Sequence, residues 1–250
     1  MEAIVQDRYG SADVLELPRS RLATARWTGL FYLGLAVGGI VGFLFVRNEL
    51  YVPDDASATL ANLVDRGALA RLGLAADLTV VLTQSLVALW FFRLFRSENS
   101  FAAGSIAAFG LLNAVTILVA TIFSATALVV SGDAVLAPSG DQAATVQLLY
   151  RLSGEAWDLG GLFFGLWLIP MGLIVVTSRV MPAVLGWLLM VGGVGYVISA
   201  YLIQLFPDAP TAISSMLTGV ASVGEFWMIG YLLIFGVRTP DPSPPAAARR

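Results

Sequence analysis

The 250-residue sequence contains no cysteine and no histidine, and all 14 of its basic residues are arginine, so lysine is missing as well. These absences exclude thiol chemistry and disulfides, histidine-ligated haem or zinc, Ser-His or Cys-His catalysis, and any Schiff-base lysine. Charge is scarce too. Only 12% of the residues are charged, against about 25% in soluble globular chains. Chemistry, if any, must run on carboxylates, hydroxyls, amides, aromatic rings or arginine. No metal and no cofactor is expected, and the net charge of −3 argues against a nucleic-acid partner.

What fills the chain instead is apolar: 58% hydrophobic residues and a mean hydropathy of +0.82. Six apolar stretches, at about 27–46, 73–92, 102–130, 157–177, 183–205 and 216–237, are each close to the roughly 20 residues that cross about 30 Å of hydrocarbon. The expected fold is therefore all-α, a polytopic membrane helix bundle of six transmembrane helices with the lipid bilayer as its partner. Pro170 interrupts the fourth stretch, where a kink and a freed carbonyl are expected. Residues 1–26 are too polar to enter a bilayer and too mixed in charge for a signal peptide, so they read as a retained cytoplasmic tail. Residues 27–238 form the membrane domain. Residues 239–250, rich in Pro and Ala, read as a disordered cytoplasmic tail.

Arginine placement orients the bundle, because cytoplasmic segments retain positive charge. With both termini inside, ten arginines are cytoplasmic (Arg8, Arg19, Arg21, Arg26, Arg93, Arg96, Arg179, Arg238, Arg249 and Arg250). Four are outside: Arg47, Arg66, Arg71 and Arg151. A multi-pass protein of a bacterial plasma membrane is the expectation. Short amphipathic helices are predicted in the outer loops. Asp54 or Asp55 can cap one through Leu60, Leu63, Val64, Ala68 and Leu72, and Asp141 opens another that runs into the fourth span.

Each returning span carries acid near its outer end: Asp77, then Glu155 and Asp158, then Glu225. Counting residues places these at comparable heights, and the spacing suggests three parallel hairpins. Carboxylates at membrane depth are costly and usually face the bundle interior or a water-filled cavity. Thr218, Ser222 and Glu225 share one helical face, as do Arg151, Glu155 and Asp158, while Asp77 shares a face with Gln84. The candidate site is thus Glu225, Asp77, Asp158, Glu155, Arg151, Ser222 and Trp227, an outward-open polar cavity rimmed by Tyr150, Trp157, Tyr196 and Tyr201. Glu225 is the deepest of the acids. The competing structural reading has Arg151 neutralise Glu155 and Asp158 while Asp77 and Glu225 bond to neighbouring helices.

The leading functional expectation is non-enzymatic: binding or passage of a small cationic or lipid-like ligand at the acidic site. An intramembrane cyclase or isomerase that uses a carboxylic acid as general acid is the alternative, since that chemistry needs neither histidine, cysteine nor metal. A structural or accessory subunit is the third. Gly34, Gly38 and Gly42 form two overlapping GxxxG steps that mark a close helix contact, and Gly161 with Gly165 mark a second. Asn113 with Thr116 reads as an interhelical hydrogen-bond pair. Trp27, Trp90, Trp167 and Trp187 read as an interfacial belt.

Two resemblances accompany these readings. The stretch MEAIVQDRYGSADVLEL (Met1 to Leu17) resembles the first strand and turn of zeta-crystallin-like quinone oxidoreductases. The match stops at Pro18 and no GxGxxG follows it, so the segment reads as a remnant with no activity or cofactor carried over. From Arg26 onward, Arg26-x-Thr28-Gly29-x-x-Tyr32-Leu33, Tyr150-Arg151-Leu152-x-Gly154 and Gly224-Glu225-Phe226-Trp227 resemble the uncharacterised bacterial membrane family called domain of unknown function 4386. That resemblance implies a multi-span membrane protein and no particular activity.

Overall fold

A computed structural model describes residues 18–138, 140–206, 208 and 210–238. The resemblance over Met1 to Leu17 and the tail from Thr239 lie outside the described residues. Among the described residues there is no strand, and six helices are long and apolar enough to cross a membrane. The first span is compound: α1 (Pro18–Gly39) passes through a π-helical stretch, Ile40–Val46, into the short α2 (Arg47–Leu50). Then come α3 (Ala56–Asp65), α4 (Gly67–Phe95), α5 (Ser100–Gly132), α6 (Gln142–Ser178), α7 (Ala183–Leu205) and α8 (Thr211–Ile234). The helices outrun the expected apolar stretches because a helix need not end where the hydrocarbon does. At about 1.5 Å per residue, the 37 residues of α6 reach well past a bilayer.

The spans pack as a ring in chain order, each against the next, and α8 returns to α1. With six crossings, Pro18 and Arg238 come to the same end, here called the terminal end; the opposite end is the distal end. At the terminal end Arg21 pairs with Glu98, and the Arg238 N–H bonds to the Val180 carbonyl at 2.9 Å. The distal end holds α3 and the start of α6. Asp55 caps α3 by accepting from the Ala58 N–H at 2.8 Å, and Asp141 caps α6 by accepting from Ala144 at 2.9 Å. The expected outer helix ends at Asp65 rather than at Leu72. Arg66 leaves helical geometry at φ −115°, its guanidinium held by the Glu49 carbonyl and carboxylate, so Ala68 and Leu72 belong to α4. α3 then lies across α6 and α5.

Without a hydrophobic drive between helices in lipid, close packing of small residues must hold the ring. Gly34, Gly38 and Gly42 all press on α4. A Cβ at Gly34 would stand 2.9 Å from Thr83 Cγ2, one at Gly38 2.8 Å from Val80 Cγ2, and one at Gly42 2.5 Å from Asp77 Oδ1. That face is filled within the chain. Gly165 and Gly193 bring α6 and α7 together in the same way, each facing the other's carbonyl, and Gly192 meets Ala221 of α8. Gly161 stays at ordinary contact with Tyr196, 3.5 Å.

The apolar interior falls into two clusters. The larger fills the terminal half with Phe91, Phe95, Trp167, Leu168, Met171 and Ile174, and the smaller sits beneath α3 with Val46, Leu50, Leu63 and Tyr150. Trp167 belongs to this core and not to the expected belt: it is fully buried, edge-on to Tyr32 and Phe91, with ring centroids 5.5 and 5.9 Å apart. Trp27 and Trp187 are exposed.

Candidate functional site

The ring is not filled to the distal end. Between α1, α6, α7 and α8 lies a cavity of about 560 Å³, within the 300–1,000 Å³ typical of small-molecule sites, roughly. On the first span its lining recurs at Tyr32, Leu35, Ala36, Gly39, Ile40, Phe43 and Leu44, the spacing of one helical face, and covers roughly 18 Å at 1.5 Å per residue. Tyr32 and Glu225 meet at the floor. The Tyr32 hydroxyl donates to Glu225 Oε1 at 2.6 Å, which leaves Oε2 to the cavity. Beneath them the packed core of Trp167, Phe91 and Phe95 closes the terminal half.

The two long walls differ in chemistry. That of α8 is polar, with Ser214, Ser215, Thr218 and Ser222 leading from the distal end to Glu225. That of the first span is apolar. Asp158 stands on α6, and Asn113 and Ser199, both buried, come from α5 and α7. Aromatic rings complete the lining: Phe43, Trp157, Phe164, Tyr196 and Phe226.

A second, much smaller chamber of about 30 Å³ adjoins it and holds Arg47 and Asp77. Phe43 and Trp157, centroids 4.8 Å apart, line both and form the partition. Arg47 is bound on all sides. It donates to the Tyr150 carbonyl at 2.7 Å and to Ser153 Oγ at 3.2 Å, and Ser153 in turn bonds Ser124 at 2.9 Å. The guanidinium also faces the rings of Phe43, Tyr51 and Tyr150 at 5.2–5.8 Å. The salt bridges Arg21–Glu98 and Arg66–Glu49 involve neither Arg47 nor the cavity acids.

The sequence-derived candidates therefore separate. Glu225, Asp158 and Ser222 come together on the large cavity, with Thr218 and Tyr196. Asp77 stands in the small chamber, opposite Gly42. Glu225 stands opposite Tyr32, ten residues earlier, so the two acids differ in height by roughly 15 Å along the first span and not at the comparable depth that residue counting suggests. Arg151 and Glu155 are exposed and line neither cavity; Glu155 accepts from Gln204 at 3.4 Å. Trp227 and Tyr201 are exposed and line neither. Asn113 and Thr116 make no interhelical pair: the Thr116 hydroxyl donates to the Asn113 carbonyl of its own helix at 2.8 Å.

Several site residues carry no warning in the sequence taken residue by residue. Tyr32 and Phe43 look like ordinary span aromatics, although their spacing with Leu35, Ala36 and Gly39 marks one face. Arg47 reads as a loop charge, yet the helix continues past it to Leu50. Gln84, which by spacing shares the Asp77 face, lies under the floor; it is wholly buried, and neither its amide nor Trp167 Nε1 has a hydrogen-bond partner among the described residues.

Among the described residues no group of three or more carboxylates is spaced to hold a metal ion. No curated protein and no solved structure matches the chain. The family described as Domain of unknown function (DUF4386) matches residues 27–236, from the first span to the sixth, and the chain belongs to that family.

Proposed function

We propose that the protein binds a small cationic or amphiphilic ligand inside the membrane, in the cavity that ends at Glu225. The observation that carries this reading is the cavity itself, which holds two carboxylates, Glu225 and Asp158, and no arginine. Its volume suits a small molecule, and aromatic rings beside carboxylates are what an organic cation requires. By arginine placement the distal end is the outer face, so the cavity lies in the outer half of the membrane. Binding is favoured over passage because the terminal half is closed by packed side chains.

The test is to add lipophilic ammonium ions to the purified protein in lipid nanodiscs and follow tryptophan fluorescence, since Trp157 lines the cavity, together with thermal stability. A ligand at a hundredfold its Kd stabilises the folded state by about 2.7 kcal/mol, a rise of several degrees in Tm. Glu225→Gln should remove that stabilisation while leaving the unliganded protein folded. An equal shift in wild type and Glu225→Gln would exclude Glu225 from binding.

The ring-lined floor favours a second reading, an isomerase. A protonated Glu225 would give its proton to an alkene carbon, and loss of a different proton from the resulting cation would restore the acid, so the double bond moves without net change in composition. Conversion of a prenyl substrate that Glu225→Gln abolishes would select this reading over simple binding.

A further inference from the structure

We infer that the ligand is a membrane-dissolved amine, its N–H-bearing ammonium head at Glu225 and its hydrocarbon tail leaving sideways between the first span and α8 into the bilayer. This rests on the binding reading above and names its ligand class. The head follows from what the wall offers. Ser215 and Thr218 donate their hydroxyl protons to carbonyls of their own helix, those of Thr211 and Ser214, at 3.1 and 3.0 Å, so they present lone pairs. Glu225 Oε1 already accepts from Tyr32, and Oε2 is a further acceptor. Asn113, only 4% exposed and lining the cavity, adds the carbonyl oxygen of its amide as an acceptor. These acceptors, set beside the Glu225 carboxylate, are matched by a ligand with several donors and a positive charge. A quaternary ammonium brings the charge without the donors.

The tail follows from the shape of the mouth. The first span and α8 meet in the terminal half, where Gly29 abuts Leu232 and Leu233, and at the Tyr32–Glu225 bond. Higher up they part, and Ile40–Val46 packs against α4 instead. The lining residues at that gap are apolar and open: Ile40 is 43% exposed, Leu44 59% and Phe226 55%. All three lie in helices apolar enough to span a membrane, so the gap faces hydrocarbon.

The experiment compares dodecylamine, dodecyltrimethylammonium and butylamine in nanodiscs, with wild type, Glu225→Gln and Leu44→Trp. Leu44 is exposed and apolar at the mouth, so a tryptophan there obstructs the gap without disturbing the floor. Dodecylamine should bind wild type at least tenfold more tightly than its trimethyl analogue, and Leu44→Trp should slow the association of dodecylamine at least tenfold more than that of butylamine, which is short enough to sit inside. Equal affinity for the amine and its trimethyl analogue, with both still dependent on Glu225, overturns the donor requirement and leaves the binding reading standing. Unchanged association in Leu44→Trp, with Glu225 still required, overturns the lateral path in favour of access from the distal end. Binding that ignores Glu225 altogether removes both.

Discussion

Arg47 and Glu225 show how differently two half-buried ionisable side chains are accommodated in one bundle. Arg47 is surrounded by a carbonyl, a hydroxyl and three rings, so its role is to join the first span to α6. Arg47→Lys keeps the charge but loses the planar fork that reaches Tyr150 and Ser153 together. It should cost about 1–3 kcal/mol, read as a lower Tm, with ammonium binding intact because the partition of Phe43 and Trp157 separates the two chambers. A loss of binding at unchanged Tm would show that the chambers act as one. Gln84 is the reverse case, a wholly buried amide with no partner among the described residues. Gln84→Met removes that unsatisfied group at similar volume and should raise Tm, by about 1–2 kcal/mol of stability; a fall would mean that the amide is bonded in the membrane. The sequence points to Glu225, Asp158 and Ser222 through their helical faces, since periodicity needs only one helix. It cannot show Tyr32 donating to Glu225, because that contact joins residues 193 apart in the chain.

The first span is the element on which the site depends. Its π-helical stretch begins after Gly39, and the Arg47 N–H bonds to the Gly42 carbonyl five residues back. Such a stretch turns the residues after it relative to an α-helix and often marks a functional site; here it lets Phe43 line both chambers and carries Arg47 to α6. The six apolar runs make the spans legible, and Asp55 and Asp141 make their caps legible, because both signals are local. The π turn and the end of α3 at Asp65 are not, because both depend on neighbouring helices. Gly38→Leu should lower Tm sharply, since its first added carbon would stand 2.8 Å from Val80 Cγ2 and 3.2 Å from the Ala76 carbonyl oxygen. Leu30→Ala removes an exposed side chain and should matter little. Equal tolerance in a detergent melting series would place the glycine face against lipid rather than α4.

At the scale of the whole molecule, the bundle is packed toward the terminal end and hollow toward the distal end. That asymmetry acquires its meaning from orientation. Reporter fusions after Arg96 and Arg238 should read cytoplasmic, and one near Pro138 should read external; the reverse pattern would turn the cavity toward the cytoplasm. Neither the asymmetry nor the separation of Asp77 from Glu225 is visible in the sequence, where each acid simply sits near one end of a span. The most direct measurement is photolabelling in nanodiscs with a long-chain amine that carries a diazirine beside its ammonium. The account predicts labelled positions on the floor and polar wall, around Tyr32 and between Thr218 and Glu225, with labelling there lost in Glu225→Gln. Labelling spread over exposed apolar residues such as Phe101 and Val129, and unchanged in Glu225→Gln, would contradict it.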